Sequence, residues 1–179
     1  MIQLTVLLWS MAAMFAYIGF SRGWNKELIS TSGVILGLFA LFEFDDVIND
    51  LLINLPPEQN FAIRSAIFIL IVFFAYQTRA LIGEDAERGR RGADGRDDLQ
   101  TSILGGIVGF VNGYLIWGSL WSFMEATNYP LAPYISAPQP GTSSASFVEN
   151  LPLAVLGGND GNLLAAAVIV LFLIVLIVI

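Results

Sequence analysis

The chain has 179 residues, of which 56% are hydrophobic and only 13% charged, with a mean hydropathy of +0.72. A water-soluble domain is about a quarter charged, so this chain has too little polar surface to stay in water and reads as an all-α membrane protein. Cysteine and histidine are both absent, which removes disulfides, thiol nucleophiles, Cys/His zinc sites, iron–sulfur ligation and any histidine general base. A net charge of −7, with one Lys and seven Arg, argues against nucleic acid as a partner. A scaffold, a channel or transporter, or an enzyme restricted to Asp, Glu, Ser, Tyr or Arg remains.

A helix needs about 20 apolar residues to cross a bilayer, and charge-free runs place the spans. The first covers Met1 to Ser21. Its charges, Arg22 and Lys26, follow the apolar stretch instead of preceding it, so it reads as a retained anchor and not a cleaved leader. The second, Leu28 to Phe42, has only 15 residues. Beyond it Phe44, Val47, Ile48, Leu51, Leu52 and Leu55 recur with helical spacing, with Glu43, Asp46 and Asp50 on another face and Asp45 beside them. This pattern predicts one helix that leaves the membrane and continues amphipathically until Pro56 and Pro57 stop it.

The third span is expected at about Phe61 to Leu81, with Arg64 and Arg79 near its ends where long side chains can snorkel. The fourth, about Leu99 to Met124, is charge-free and rich in glycine. Between them Gly83 to Asp98 holds ten charges and four glycines in sixteen residues, a composition that predicts a solvated loop. The segment after Glu125 is broken by prolines and serines and reads as irregular surface structure. A last apolar run, Leu163 to Ile179, has 17 residues, at the lower limit for a fifth, C-terminal span. The expected organisation is a four-helix membrane domain over 1–125, an extracytoplasmic Pro/Ser-rich segment over 126–160 and a transmembrane helix over 161–179.

Loops on one face carry Lys/Arg at 22, 26, 79, 88, 90, 91 and 96, and the opposite face has only Arg64. The positive-inside rule then puts the amino terminus outside, and the carboxyl terminus inside if the fifth run spans.

Two motifs stand out. Gly105-xxx-Gly109-xxx-Gly113 lines one face of the fourth span and lets another backbone approach closely, and Gly33-xxx-Gly37 in the second span offers a matching face. The seam could join helices within one chain or between copies. Asn112, beside Gly113, needs a hydrogen-bond partner in hydrocarbon, and interhelical glue is the expectation. Leu115 reads as lipid-facing. The second motif is the turn Gly19 to Ser30, in which Arg22 and Glu27 can pair across Gly23 at the headgroup level. Glu27 also favours a helix N-terminus, and as a simple ion pair the two should tolerate exchange better than removal of either. The acidic face of Glu43, Asp46 and Asp50 could bind a divalent cation but reads as solvated, with Arg64 neutralising part of it. Metal sites and cofactors are not expected.

An apolar first helix, the turn Arg22, Gly23 and Glu27, a small-residue-rich second helix and the triple-glycine fourth helix together resemble the colicin V production protein (CvpA) family over about Gln3 to Glu125. Where the family often has Asp-Arg before the first glycine this chain reads Thr101-Ser102, and where it often has Arg before the third glycine this chain has Asn112. The resemblance implies a bacterial inner-membrane bundle linked to toxin production or secretion and to envelope upkeep, without catalytic residue or cofactor. The expected function is therefore a non-enzymatic scaffold or accessory component, in contact with the lipid bilayer and with other membrane proteins or copies of itself. A small oligomeric channel or transporter is the alternative. The spans offer a pathway few polar residues besides Asn112, Ser30, Thr31 and Ser32, and no ionisable residue is expected deep in the bilayer.

Overall fold

The computed structural model describes residues 3–77, 95–158 and 161–178, all helix, turn or irregular chain with no strand among them. Four long helices carry the architecture: α1 (Leu4–Arg22), α2 (Trp24–Glu43), α4 (Pro57–Gln77) and α5 (Gly95–Ala126), with α3 (Asp45–Leu52) between the second and third of them. Each long helix has a stretch apolar enough to cross a membrane, in α5 from Leu99 to Ala126. Three short elements follow: α6 (Ser143–Phe147), a 3-10 turn (Val148–Asn150) and α7 (Pro152–Gly157). The last helix, α8 (Asn162–Val178), is as apolar as the sequence promised. It qualifies as a fifth span only together with the short helices before it, to which it is bent by 67°.

Glycine decides how the long helices meet. Gly23 ends α1 at φ +84°, a left-handed conformation in which a β-carbon is strained, and its N–H caps the Gly19 carbonyl at 2.9 Å. Helix α2 starts at once from Trp24. Helix α1 then packs on α5 more extensively than any other pair, because Gly105, Gly109 and Gly113 let the backbones touch. A β-carbon at Gly105 would lie 2.8 Å from Gly23 Cα, and one at Gly113 would lie 2.6 Å from Ala12 Cα. The expected match with Gly33 and Gly37 is not made. Those two face Ala75 and Ile71 of α4, so there are two separate seams, both within the chain.

The adjoining face of α5 builds the core. Leu115, Ile116 and Phe123 are buried with Val34, Ile35, Leu38 and Leu41 of α2 and Phe68 and Val72 of α4. Leu115 is 5% exposed, which overturns its reading as lipid-facing. It lies one turn beyond Asn112, and its helix is wrapped on two sides, by α1 and by the α2–α4 pair. Helix α8 covers α2, with Leu164 buried and Ala167, Val168 and Leu171 against the same core.

Several boundaries move. The amphipathic continuation of α2 is a separate helix: the chain breaks at Phe44 (φ −95°, ψ 16°) and restarts with Asp45 and Asp46 in its first turn, where carboxylates favour the positive helix end. Helix α4 begins at Pro57, a good first residue because its missing N–H costs nothing there, and the predicted end at Leu81 lies outside the described residues. The predicted charged loop falls mostly outside them too, but its last residues from Gly95 onward are helical. The segment after Glu125 is more ordered than its composition suggested. Tyr129, Ser144, Leu151 and Pro152 are buried on the end of the bundle, through a Trp121 indole N–H donated to the Tyr129 hydroxyl (2.9 Å) and a Ser144–Thr5 hydroxyl pair (3.1 Å).

Candidate functional site

The end of α1 delivers Arg22 and the first turn of α2 delivers Glu27. The Arg22 guanidinium meets Glu27 Oε1 at 2.5 Å, as the turn motif predicts. The carboxylate is 0% exposed, enclosed by the bundle's own helices. On its other oxygen, Oε2, Glu27 accepts from Asn112 Nδ2 of α5 (2.9 Å) and from the Tyr76 hydroxyl of α4 (3.1 Å). Glu27 stands in the first turn of α2, so its carboxylate is enclosed by the bundle close to the α1–α2 turn.

Arg22 completes the knot. Its other terminal nitrogen approaches Ser30 Oγ (3.4 Å) and the Tyr76 carbonyl (3.5 Å), and its guanidinium carbon sits 4.4 Å from the centre of the Tyr76 ring. That position is favourable for a cation over an aromatic face. Burying a carboxylate is costly unless it is paired and hydrogen-bonded. Glu27 has a counter-charge and two neutral donors, one from each of the two long helices it does not itself belong to or adjoin. The knot ties together α1, α2, α4 and α5. The Asn112 amide also donates to the Glu27 backbone carbonyl at 3.3 Å. Its own oxygen is buried with no partner among the described residues, so the amide is oriented by the two acceptors on its nitrogen side.

The second polar cluster lies at the other end of the bundle. Arg64 donates to Asp45 Oδ1 (2.5 Å), Asn49 Oδ1 (2.6 Å) and, within its own helix, Asn60 Oδ1 (2.7 Å). It thus holds α3 against α4. Of the acidic face, only Asp45 is taken up by this cluster. Among the described residues no three carboxylates converge on a point where a metal ion could sit. A cavity of about 440 Å³ opens beside the cluster, lined in part by Phe42, Glu43, Asp46 and Leu153. A larger one of about 560 Å³ lies between the first turn of α1 and the 134–144 segment, with Leu4, Ile135 and Gln139 in its wall. Neither touches the Glu27 knot.

Of the residues singled out in the sequence, Arg22, Glu27 and Asn112 meet at one point. Gly23, Gly105, Gly109 and Gly113 bring the helices together around it, and Gly33 and Gly37 sit on the α2–α4 seam. Tyr76 was missed. Its signal is a polar-tipped aromatic closing an apolar span, which in hydrocarbon has to find an acceptor. Gly19 was missed as well, although Gly19 and Gly23 stand four apart on the helix that the triple glycine packs against.

The family model described as colicin V production protein matches residues 4–150. The match runs from the first turn of α1 through α6 to Asn150, past the Glu125 boundary suggested by the motifs, and so takes in the segment folded onto the end of the bundle. No curated protein and no solved structure matches the chain.

Proposed function

The chain belongs to the colicin V production protein family, and from that premise we propose that it is a non-enzymatic scaffold or accessory component of the bacterial cytoplasmic membrane. It serves toxin production or secretion, or the upkeep of the envelope, with its amino terminus and the Asp45–Arg64 cluster outside and the Arg22 turn inside. The observation that carries the reading is the closed state of the Glu27 knot. Both carboxylate oxygens are taken by groups of the protein's own helices, so the buried charge of the most conspicuous polar site in the bundle is spent on tying helices together. A scaffold needs such a rigid frame under its exposed faces.

The test is twofold. Cross-linking in the native membrane, followed by purification in mild detergent, should recover the chain in a fixed ratio with one or more other membrane proteins, and deleting the gene should lower toxin export or envelope resistance. Purified chain in liposomes should carry no ion or solute flux. Flux that disappears with Glu27→Gln would replace the scaffold with a small oligomeric channel or transporter in which the knot lies on the pathway.

A further inference from the structure

Helix α3 has apolar side chains on two faces. Ile48 and Leu52 turn inward: Leu52 is buried and Ile48 packs on the core around Phe68. At 100° per residue the next arc holds Asp45 and Asn49, both bonded to Arg64. Beyond them come Asp46 and Asp50, which are exposed. The remaining arc, opposite the Asp45–Asn49–Asp46 side, is formed by Phe44, Val47 and Leu51, which are 57%, 55% and 77% exposed, and Ile53 just past the helix is 74% exposed. Three large apolar side chains, Phe44, Val47 and Leu51, therefore stand free on one arc of a helix whose other faces are either packed or charged, while Ile53 falls on the Asp46 side.

We propose that this face of α3 is a lipid-docking surface, lying in the boundary between headgroups and acyl chains of the leaflet at the Asp45–Arg64 end of the bundle. A helix divided lengthwise into an apolar and a charged side is stable in that position, with one side among acyl chains and the other in water. The location agrees. Helix α3 joins the end of α2 to the start of α4, both of them spans, so it is held where the chain leaves one span and enters the next, at the level of a bilayer boundary. A second copy of the chain is a poorer occupant. A stable protein interface needs about 800 Å² from each partner, more than one face of an eight-residue helix supplies. Charge narrows the lipid class. Glu43, Asp46 and Asp50 are exposed beside the face and Arg64 is engaged by Asp45, Asn49 and Asn60, so the surface suits zwitterionic and not anionic headgroups. The inference needs only the spans and is independent of the scaffold reading.

The chain contains no cysteine, so single cysteines at Val47, Leu51, Asp46 and Asp50 can each carry a nitroxide on the full chain in phosphatidylcholine nanodiscs. All but Asp50 and Asp46 lie on the proposed face, and none of the four side chains is buried. Collision with oxygen relative to a water-soluble nickel chelate should be severalfold higher at Val47 and Leu51 than at Asp46 and Asp50, and the excess should shrink when phosphatidylglycerol replaces part of the phosphatidylcholine. Preferential access of nickel at Val47 and Leu51 would place the face in water and overturn the proposal. Protection from both reagents would overturn it in favour of a protein contact. Spin–spin broadening that vanishes on dilution with unlabelled chain would identify that contact as a second copy.

Discussion

The amide nitrogen of Asn112 stands 2.9 Å from the carboxylate of Glu27, a contact between residues 85 apart in sequence. It joins the two motifs that the sequence displays separately, the Arg22–Gly23–Glu27 turn and the glycine-lined fourth span, because Asn112 stands on α5 at the edge of the glycine face. The glycines bring α1 close, and the neighbouring face reaches past them to the carboxylate. One helix thereby both packs against the turn and satisfies its buried charge.

The contact changes what the Arg22–Glu27 pair should tolerate. As a simple ion pair the two could be exchanged with modest loss. Inside the knot, Asn112 Nδ2 and the Tyr76 hydroxyl are donors already aimed at position 27, and a guanidinium placed there would face donors with donors. Arg22→Glu/Glu27→Arg is therefore expected to be no better than Glu27→Ala, and each should cost about 3–5 kcal/mol, the usual penalty for breaking a buried charge pair. Asn112→Asp, which sets a second carboxylate against the first, should be as damaging, while Tyr76→Phe should cost less, about 1.5–3 kcal/mol, because one hydrogen bond to the charged group is lost and the ion pair remains. Thermal unfolding of the purified variants in mild detergent checks the order, and an exchange variant close to wild type would show that the neutral donors contribute little.

Gly109→Leu should separate α1 from α5 and lower the yield of folded chain sharply, since a β-carbon there already falls 3.0 Å from Gly19 Cα. The proper control is Ile107→Phe, whose site is 58% exposed on the outside of the bundle. Leu115→Phe is not a control at all: its site is buried in the core, and overpacking should cost about 1–3 kcal/mol. Folded yields in detergent should fall in the order Ile107→Phe, Leu115→Phe, Gly109→Leu.

The spans were readable because absence of charge over a bilayer's length is a local property. So was the Arg22–Glu27 pairing, since five residues across a glycine turn leave few alternatives. Which faces meet is not local. Gly33-xxx-Gly37 and Gly105-xxx-Gly109 look equally suited to each other, and only the three-dimensional arrangement shows Ala75 and Ile71 filling one and Gly19 the other. Some of what was missed was nonetheless written in the sequence. Asn112, Leu115, Ile116, Ser119 and Phe123 recur at helical spacing, and once Asn112 is required to find a partner, the residues one and two turns beyond it belong on the same inward face. The order in the segment after Glu125 was not readable in this way, because its anchors, Tyr129, Ser144 and Leu151, are isolated side chains in a Pro- and Ser-rich stretch.

The proposed orientation has a direct check, and the structure selects the reporter sites. A cysteine at Ser21, which is exposed at the Arg22 end, and one at Ala93 in the basic stretch should resist a membrane-impermeant thiol reagent in intact cells. Ser144 looks suitable on the opposite face but is 3% exposed and bonded to Thr5, so a cysteine there would stay unlabelled for reasons of burial. Tyr134, at 93% exposed, is the site that should react. Labelling at Ser21 with protection at Tyr134 would reverse the topology.

Tyr129 gives one end of the bundle a pH dependence. Its hydroxyl lies outside the spans, and burial, reinforced by a hydrogen bond to the Glu125 carboxylate and opposed by the Trp121 indole, raises its pKa above the ordinary tyrosine value. The neutral phenol is therefore favoured in the folded state, whereas an unfolded tyrosine ionises at about pH 10. Below that pH both states hold the proton and the contribution of the buried hydroxyl is intact. As pH rises past it the unfolded chain loses its proton first, so folding stability falls with pH until the folded-state pKa is passed. Alkaline unfolding of the wild type should thus steepen above about pH 10, and Tyr129→Phe should flatten that limb while costing about 1 kcal/mol at neutral pH through the lost Trp121 hydrogen bond. Tyrosine absorbance near 295 nm, a wavelength set by phenolate chemistry and read together with helical circular dichroism, separates ionisation from unfolding. If the variant and the wild type lose structure along the same alkaline curve, Tyr129 does not anchor the 126–150 segment, and the aromatic contacts of Trp121 and Trp9 with Phe147 (ring centres 6.2 and 5.5 Å apart) hold it instead.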